Sequence, residues 1–134
     1  MAKTLAIVFG IVFVLVGILG FMNSGIAGEM GIFQTNTVHD IVHLLFGLIL
    51  LVVAFTAPMK SAAWLKILGA VYLVLAVLGF LLIPSGGTLL GLVLMNGNDH
   101  WLHAVLGIVL VLAGVMGGNK SGASGGMPMS SPSM

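Results

Sequence analysis

Apolar residues run almost unbroken over Ala6–Phe21, Ile41–Phe55, Leu65–Ile83 and Leu102–Met116, and polar residues gather between these runs. A helix that crosses a bilayer needs about 20 apolar residues at 1.5 Å rise. The first three runs approach that length. The fourth is shorter and draws on His100 at one end and Gly117-Gly118 at the other. The pattern predicts an all-α membrane fold with four transmembrane helices.

The runs are related in pairs. Gly10-Ile-Val-Phe-Val-Leu-Val-Gly17-Ile-Leu-Gly20-Phe21 aligns without a gap with Gly69-Ala-Val-Tyr-Leu-Val-Leu-Ala76-Val-Leu-Gly79-Phe80. Gly31 to Asn36 then matches Gly91 to Asn96, and Asp40-Ile-Val-His43-Leu-Leu-Phe-Gly47 matches His100-Trp-Leu-His103-Ala-Val-Leu-Gly107. The offset moves from 59 to 60 residues (Gly10 to Gly69, His43 to His103), so the second connecting loop holds one extra residue. Such self-similarity predicts two helical-hairpin repeats, residues 1–58 and 59–118. Each repeat crosses the membrane twice, so the hairpins share one orientation about an axis along the membrane normal.

Composition agrees with that picture. The 134 residues are 60 % hydrophobic and 5 % charged, where a globular chain carries about 25 % charged residues. Without cysteine there is no disulfide, thiolate metal site, iron–sulfur cluster or covalent haem attachment. A net charge of +1 spread over isolated lysines leaves no nucleic-acid footprint. No phosphate loop, nucleophile elbow or zincin motif is present, and the chain is expected not to be an enzyme.

Lysine placement sets the expected orientation. Lys3, Lys60, Lys66 and Lys120 fall at one end of the helices and Glu29, Asp40 and Asp99 at the other. Both termini are then cytoplasmic, and the longer loops, Met22–Val38 and Pro84–Asp99, face outward from a bacterial inner membrane, cytoplasmic or intracytoplasmic. A cleaved signal peptide is the rival reading of the first run, but the third run repeats it where no signal can act. Residues 119–134 form a Gly/Ser/Met/Pro-rich cytoplasmic tail of linker composition, expected to order only against a neighbouring subunit. Its Met127, Met129 and Met134 are candidate soft ligands for Cu(I).

The chemistry concentrates in four histidines at one depth. His39 and His43 open the second helix one turn apart, and His100 and His103 open the fourth. His43 and His103 are equivalent in the repeat and are expected to face one another. His39 aligns with Asp99 and Asp40 with His100, a swap that predicts reciprocal His–Asp pairs. Gly47 and Gly107 follow the paired histidines by one turn, leaving a slot for close helix packing or for a flat macrocycle. Three uses follow: half-hydrated histidines with no ligand; a tetrapyrrole on His43 and His103; a Zn, Cu or Fe ion on His39, His43, His100 and His103 with Asp40 and Asp99. A proton or pH-switch role is a further option. With every lysine at the opposite end, a chlorin (chlorophyll or bacteriochlorophyll) without free propionates suits the position better than haem b.

Other features read as structure. Gly10, Gly17 and Gly20, with Gly69, Ala76 and Gly79, are spaced as helix contacts. Trp64, Tyr72 and Trp101 suit interfacial belts or core filling. Asn36 and Asn96 cap the helices that follow them. Leu89–Met95 is apolar but too short to span, and is expected in the outer interface.

The string Gly31-Ile-Phe-Gln-Thr-Asn36-Thr-Val-His39-Asp-Ile-Val-His43-Leu-Leu-Phe-Gly47, after Gly17-Ile-Leu-Gly20-Phe21, resembles a bacterial four-helix membrane family known as domain of unknown function 4383. The resemblance covers about Lys3 to Gly117, with Asn96-Gly-Asn-Asp99-His100-Trp-Leu-His103 as the weaker second copy and His100 an addition. It implies four spans and weight on Asn36, His39, His43 and His103, and it implies no activity. The expected role is a small accessory subunit of a larger membrane complex, in contact with lipid and other membrane subunits. Its cofactor-binding candidates are His43, His103, Gly47 and Gly107. The alternatives are a stand-alone metal or haem redox protein and a packing subunit without ligand.

Overall fold

The computed structural model describes residues 1–122, with side chains through Asn119. Helices α1 (Ala2–Phe21), α2 (Thr37–Thr56), α3 (Ser61–Leu82) and α4 (Gly97–Gly122) follow the four apolar runs. All four are long and apolar enough to cross a membrane. Helix α4 continues to Gly122, past the boundary expected at residue 118. The expectations for residues 123–134, including Cu(I) at Met127, Met129 and Met134, lie outside the described residues.

The helix boundaries have local causes. Asn36 precedes α2, and its side-chain oxygen accepts from the His39 backbone N–H, one of the donors that a helix start leaves unpaired. Asn96 does the same for Asp99, whose carboxylate in turn accepts from the Asn96 N–H at 2.9 Å, a reciprocal cap. Helix α2 gives way at Ala57 to a short turn, Pro58–Lys60, and α3 stops at Leu82, two residues before Pro84. Proline lacks the N–H that a continuing helix needs.

Helix α1 packs along α2, and α3 along α4, while contacts between the two pairs are sparse. Glycine permits the close approach. A Cβ on Gly47 would lie 2.7 Å from the Gly10 carbonyl oxygen, and one on Gly10 would lie 3.0 Å from that of Gly47. Gly69 and Gly107 face each other in the same way, at 2.8 and 3.0 Å. Small residues at such crossings let backbones meet where lipid supplies no hydrophobic drive between helices. Phe13, Leu50, Leu65, Tyr72 and Leu110 fill the centre, and Leu15, Leu48, Val74 and Val105 point outward, each more than half exposed. That outward apolar surface fits a hydrocarbon solvent.

Two loops close the histidine end. The first carries paired two-residue strands, β1 (Ala27–Gly28) and β2 (Phe33–Gln34). The second is an antiparallel ribbon of β3 (Gly87–Leu89) and β4 (Val93–Met95). It turns at Leu90 and Gly91, with φ of 52° and 70°. The Leu89–Met95 stretch is therefore a ribbon, with Leu89 and Met95 buried and Leu90 and Leu92 exposed. The loops lock together: Asn36 donates to the Leu92 carbonyl and accepts from the Leu94 N–H, while Asn96 donates to the Ile32 carbonyl.

Candidate metal centre

Beneath this lid, His39 and His43 of α2 and His103 of α4 meet in the core, each at most 7 % exposed. One ring nitrogen from each lies within 4.8 Å of the other two. The His39 and His43 rings stack at 4.6 Å between centroids, as spacing by one helical turn dictates. His103 approaches from the other hairpin, 5.7 Å from His39 and 6.4 Å from His43. The expected pair of His43 and His103 is thus present, and His39 completes a trio.

Backbone carbonyls hold two of the rings. His39 donates from Nδ1 to the Leu94 carbonyl at 2.7 Å, and His103 donates from Nδ1 to the Asp99 carbonyl at 2.6 Å. A carbonyl only accepts, so these bonds fix the proton on Nδ1 and leave the lone pair on Nε2. Nε2 of His39 and Nδ1 of His43 are buried without a partner. Below the trio, Tyr72 stacks on His103 at 4.9 Å and on Phe13 at 5.3 Å, closing the side toward the helix centres.

Chemically, this is a donor set for a borderline metal. Imidazole suits Zn, Cu and Fe. Metal–nitrogen bonds of about 2.0–2.1 Å would draw the three nitrogens to roughly 3.4 Å apart in a tetrahedral site. Nδ1–H to carbonyl bonds of this kind orient histidines at metal sites in other proteins.

The other candidates lie elsewhere. His100 turns away from the trio toward α3, where Nε2 donates to the Ile83 carbonyl at 2.9 Å and the ring lies across Gly79. Asp40 occupies the corresponding place in the first hairpin, its carboxylate lying against Gly20 and lining a polar pocket with Glu29 and Thr35. The Oδ2 atom of Asp99 accepts from the Gln34 and Asn96 backbone N–H groups, both at 2.9 Å. The carboxylate–imidazole pairs expected from the swapped order are thus replaced by backbone partners: loop N–H groups for Asp99, loop carbonyls for His39 and His100. Gly47 and Gly107 are filled by the neighbouring helices α1 and α3, the packing use of their slot.

Two contributors had no clear trace in the chain. The Leu94 carbonyl that orients His39 is a backbone atom, which no residue type announces. Tyr72 was readable as core filling, and its place under His103 follows from its position two turns before Gly79 on α3.

The model of a family described as Domain of unknown function (DUF4383) matches residues 3–116. No curated protein and no solved structure matches the chain.

Proposed function

The chain belongs to the DUF4383 family, whose description assigns no activity, and from its own side chains we propose a small non-enzymatic membrane protein that holds one first-row transition-metal ion on His39, His43 and His103. The observation that carries this reading is the convergence of three buried imidazoles from two hairpins, with two ring nitrogens left unpartnered. A buried polar atom without a partner is costly, and a shared ion would satisfy the rings together.

An ion suits the surroundings better than a chlorin or haem. The glycine slots beside His43 and His103 are taken by helix backbone, and the cavities touching these rings measure about 100 and 200 Å³. Pockets for larger organic ligands run to roughly 300–1,000 Å³. The accessory-subunit reading draws on apolar outer faces that lipid would equally cover, so the trio is the more specific guide. By the lysine rule, Lys3, Lys60 and Lys66 put the termini in the cytoplasm and the trio toward the outer face of a bacterial inner membrane.

Metal analysis and an absorption spectrum of protein purified in mild detergent test the proposal. One ion per chain is expected, lost in His39→Ala, His43→Ala and His103→Ala. A Soret or Qy band that moves with His43→Ala would overturn it in favour of a tetrapyrrole. Neither a band nor metal, even after incubation with Zn(II) or Co(II), would leave only a packing role.

A further inference from the structure

We propose that the trio presents its ion to a small neutral diatomic molecule, of the class of dioxygen or nitric oxide, delivered from the lipid; the proposal rests on the metal reading above. Three imidazoles leave a tetrahedral ion with one open position, the arrangement that accepts an exogenous ligand. The approaches to that position decide what can reach it.

The loop end is shut. The interlocked loops cover the trio, and Thr35, Leu89 and Met95 beneath them are each at most 2 % exposed. Among the described residues, two cavities reach the trio from the gaps between the helices. One is a cavity of about 100 Å³ between α1 and α4 under the first loop, walled by Val12 and Val16, by Leu102 and Leu106, and by Ala27 and Phe33 of the loop, and ending on His43 and His103. The second lies between α2 and α3, about 200 Å³, and ends on the same two histidines and His39. Both occupy the gaps between the hairpins, where helix contacts are sparse and where lipid would lie.

The walls exclude most ligands. Asp99, Thr35 and Tyr72 are the polar non-histidine residues on the first cavity; none is a cation, and Asp99 Oδ2 is already bonded to two backbone N–H groups. An anion entering there would lose its hydration without a counter-charge on the walls. Water gains little in an apolar space of this size, whereas cavities of comparable volume in other proteins stay dry and take xenon. Size admits a diatomic molecule, and polarity favours an uncharged one that dissolves in hydrocarbon.

Two measurements on the full chain test this. Crystals of the metal-free protein pressurised with xenon should show a peak between α1 and α4 beside His43 and His103; no peak there would overturn the proposal. Protein loaded anaerobically with Fe(II) should give a spin-3/2 EPR signal with nitric oxide, one per iron, while azide at the same concentration leaves the iron unchanged. Filling both approaches, with Val16→Phe in the first cavity and Val71→Phe at Val71 of α3, which lines the second, should slow nitric oxide binding at least tenfold with iron content intact. If iron binds but nitric oxide does not, or azide binds equally well, this proposal fails and the metal site stands. If the chain takes up no iron, zinc or cobalt, the metal reading fails and delivery to an ion fails with it. Should the double variant lose its iron, Val16→Phe alone, read by the xenon peak and the nitric oxide rate, decides the outcome.

Discussion

Asn36 and Asn96 each cap their own helix and brace the other hairpin's loop, Asn36 through the Leu92 carbonyl at 3.0 Å and Asn96 through the Ile32 carbonyl at 2.9 Å. The bonds are reciprocal, so each asparagine serves both hairpins. Replacing Asn36 by Ala removes the cap and leaves the part-buried Leu94 N–H without its acceptor, while the carbonyl of exposed Leu92 can turn to water. A cap is worth about 1 kcal/mol and a stranded, part-buried N–H about 1–2 kcal/mol. The expected loss is about 2–3 kcal/mol in reversible unfolding in detergent, with Asn36→Asp intermediate because its oxygen still accepts. Unchanged stability in Asn36→Ala would show that the loops stand without this brace.

Gly47→Ala should cost roughly 1–3 kcal/mol, because its new methyl group meets the Gly10 carbonyl and Val14. Gly25→Ala has open space and is expected within about 0.5 kcal/mol of the parent. Metal content in folded Gly47→Ala should equal that of the parent. A change in absorption spectrum with stability unaltered would instead return Gly47 to the list of cofactor contacts.

His100 separates ligation from packing. His100→Ala leaves the Ile83 carbonyl without its donor and vacates the space over Gly79. Stability should fall by about 1–3 kcal/mol while one ion per chain remains. His103→Ala should lose the ion. Equal metal loss in both variants would mean that the ligand set extends beyond the trio.

Metal removal should lower the melting temperature. An ion that binds only the folded chain adds about 2.7 kcal/mol when free metal is 100-fold above Kd. Chelation should remove that increment from the parent, and His43→Ala should show no response to chelator. Identical melting of parent and chelated protein would count against occupancy of the trio.

Much of this was legible in the chain. The apolar runs marked the four helices, the asparagines marked two helix starts, and the aligned glycines marked the crossings. The facing of His43 and His103 followed from their equivalent positions. What the chain obscured was which further histidine joins them. At 100° per residue, His39 sits 40° around the helix from His43, while His100 sits 60° from His103 and turns toward α3. Gly79 then offers a flat recess that the His100 ring fills, as Asp40 fills the recess at Gly20. Those two glycines stand in register with each other, a signal that was present in the alignment but reads as helix packing until the side chains are seen. The β3–β4 ribbon was hidden because Leu89–Met95 is apolar on both faces, one resting on the bundle and the other turned outward.

The three imidazoles come from both helix pairs: His39 and His43 stand on α2, and His103 stands on α4, beyond the ribbon whose Leu94 carbonyl orients His39. Neither hairpin alone holds the full donor set. On the proposed metal reading, an ion would bridge the pairs where their own contacts are fewest, and an occupied site would report that the two hairpins have docked.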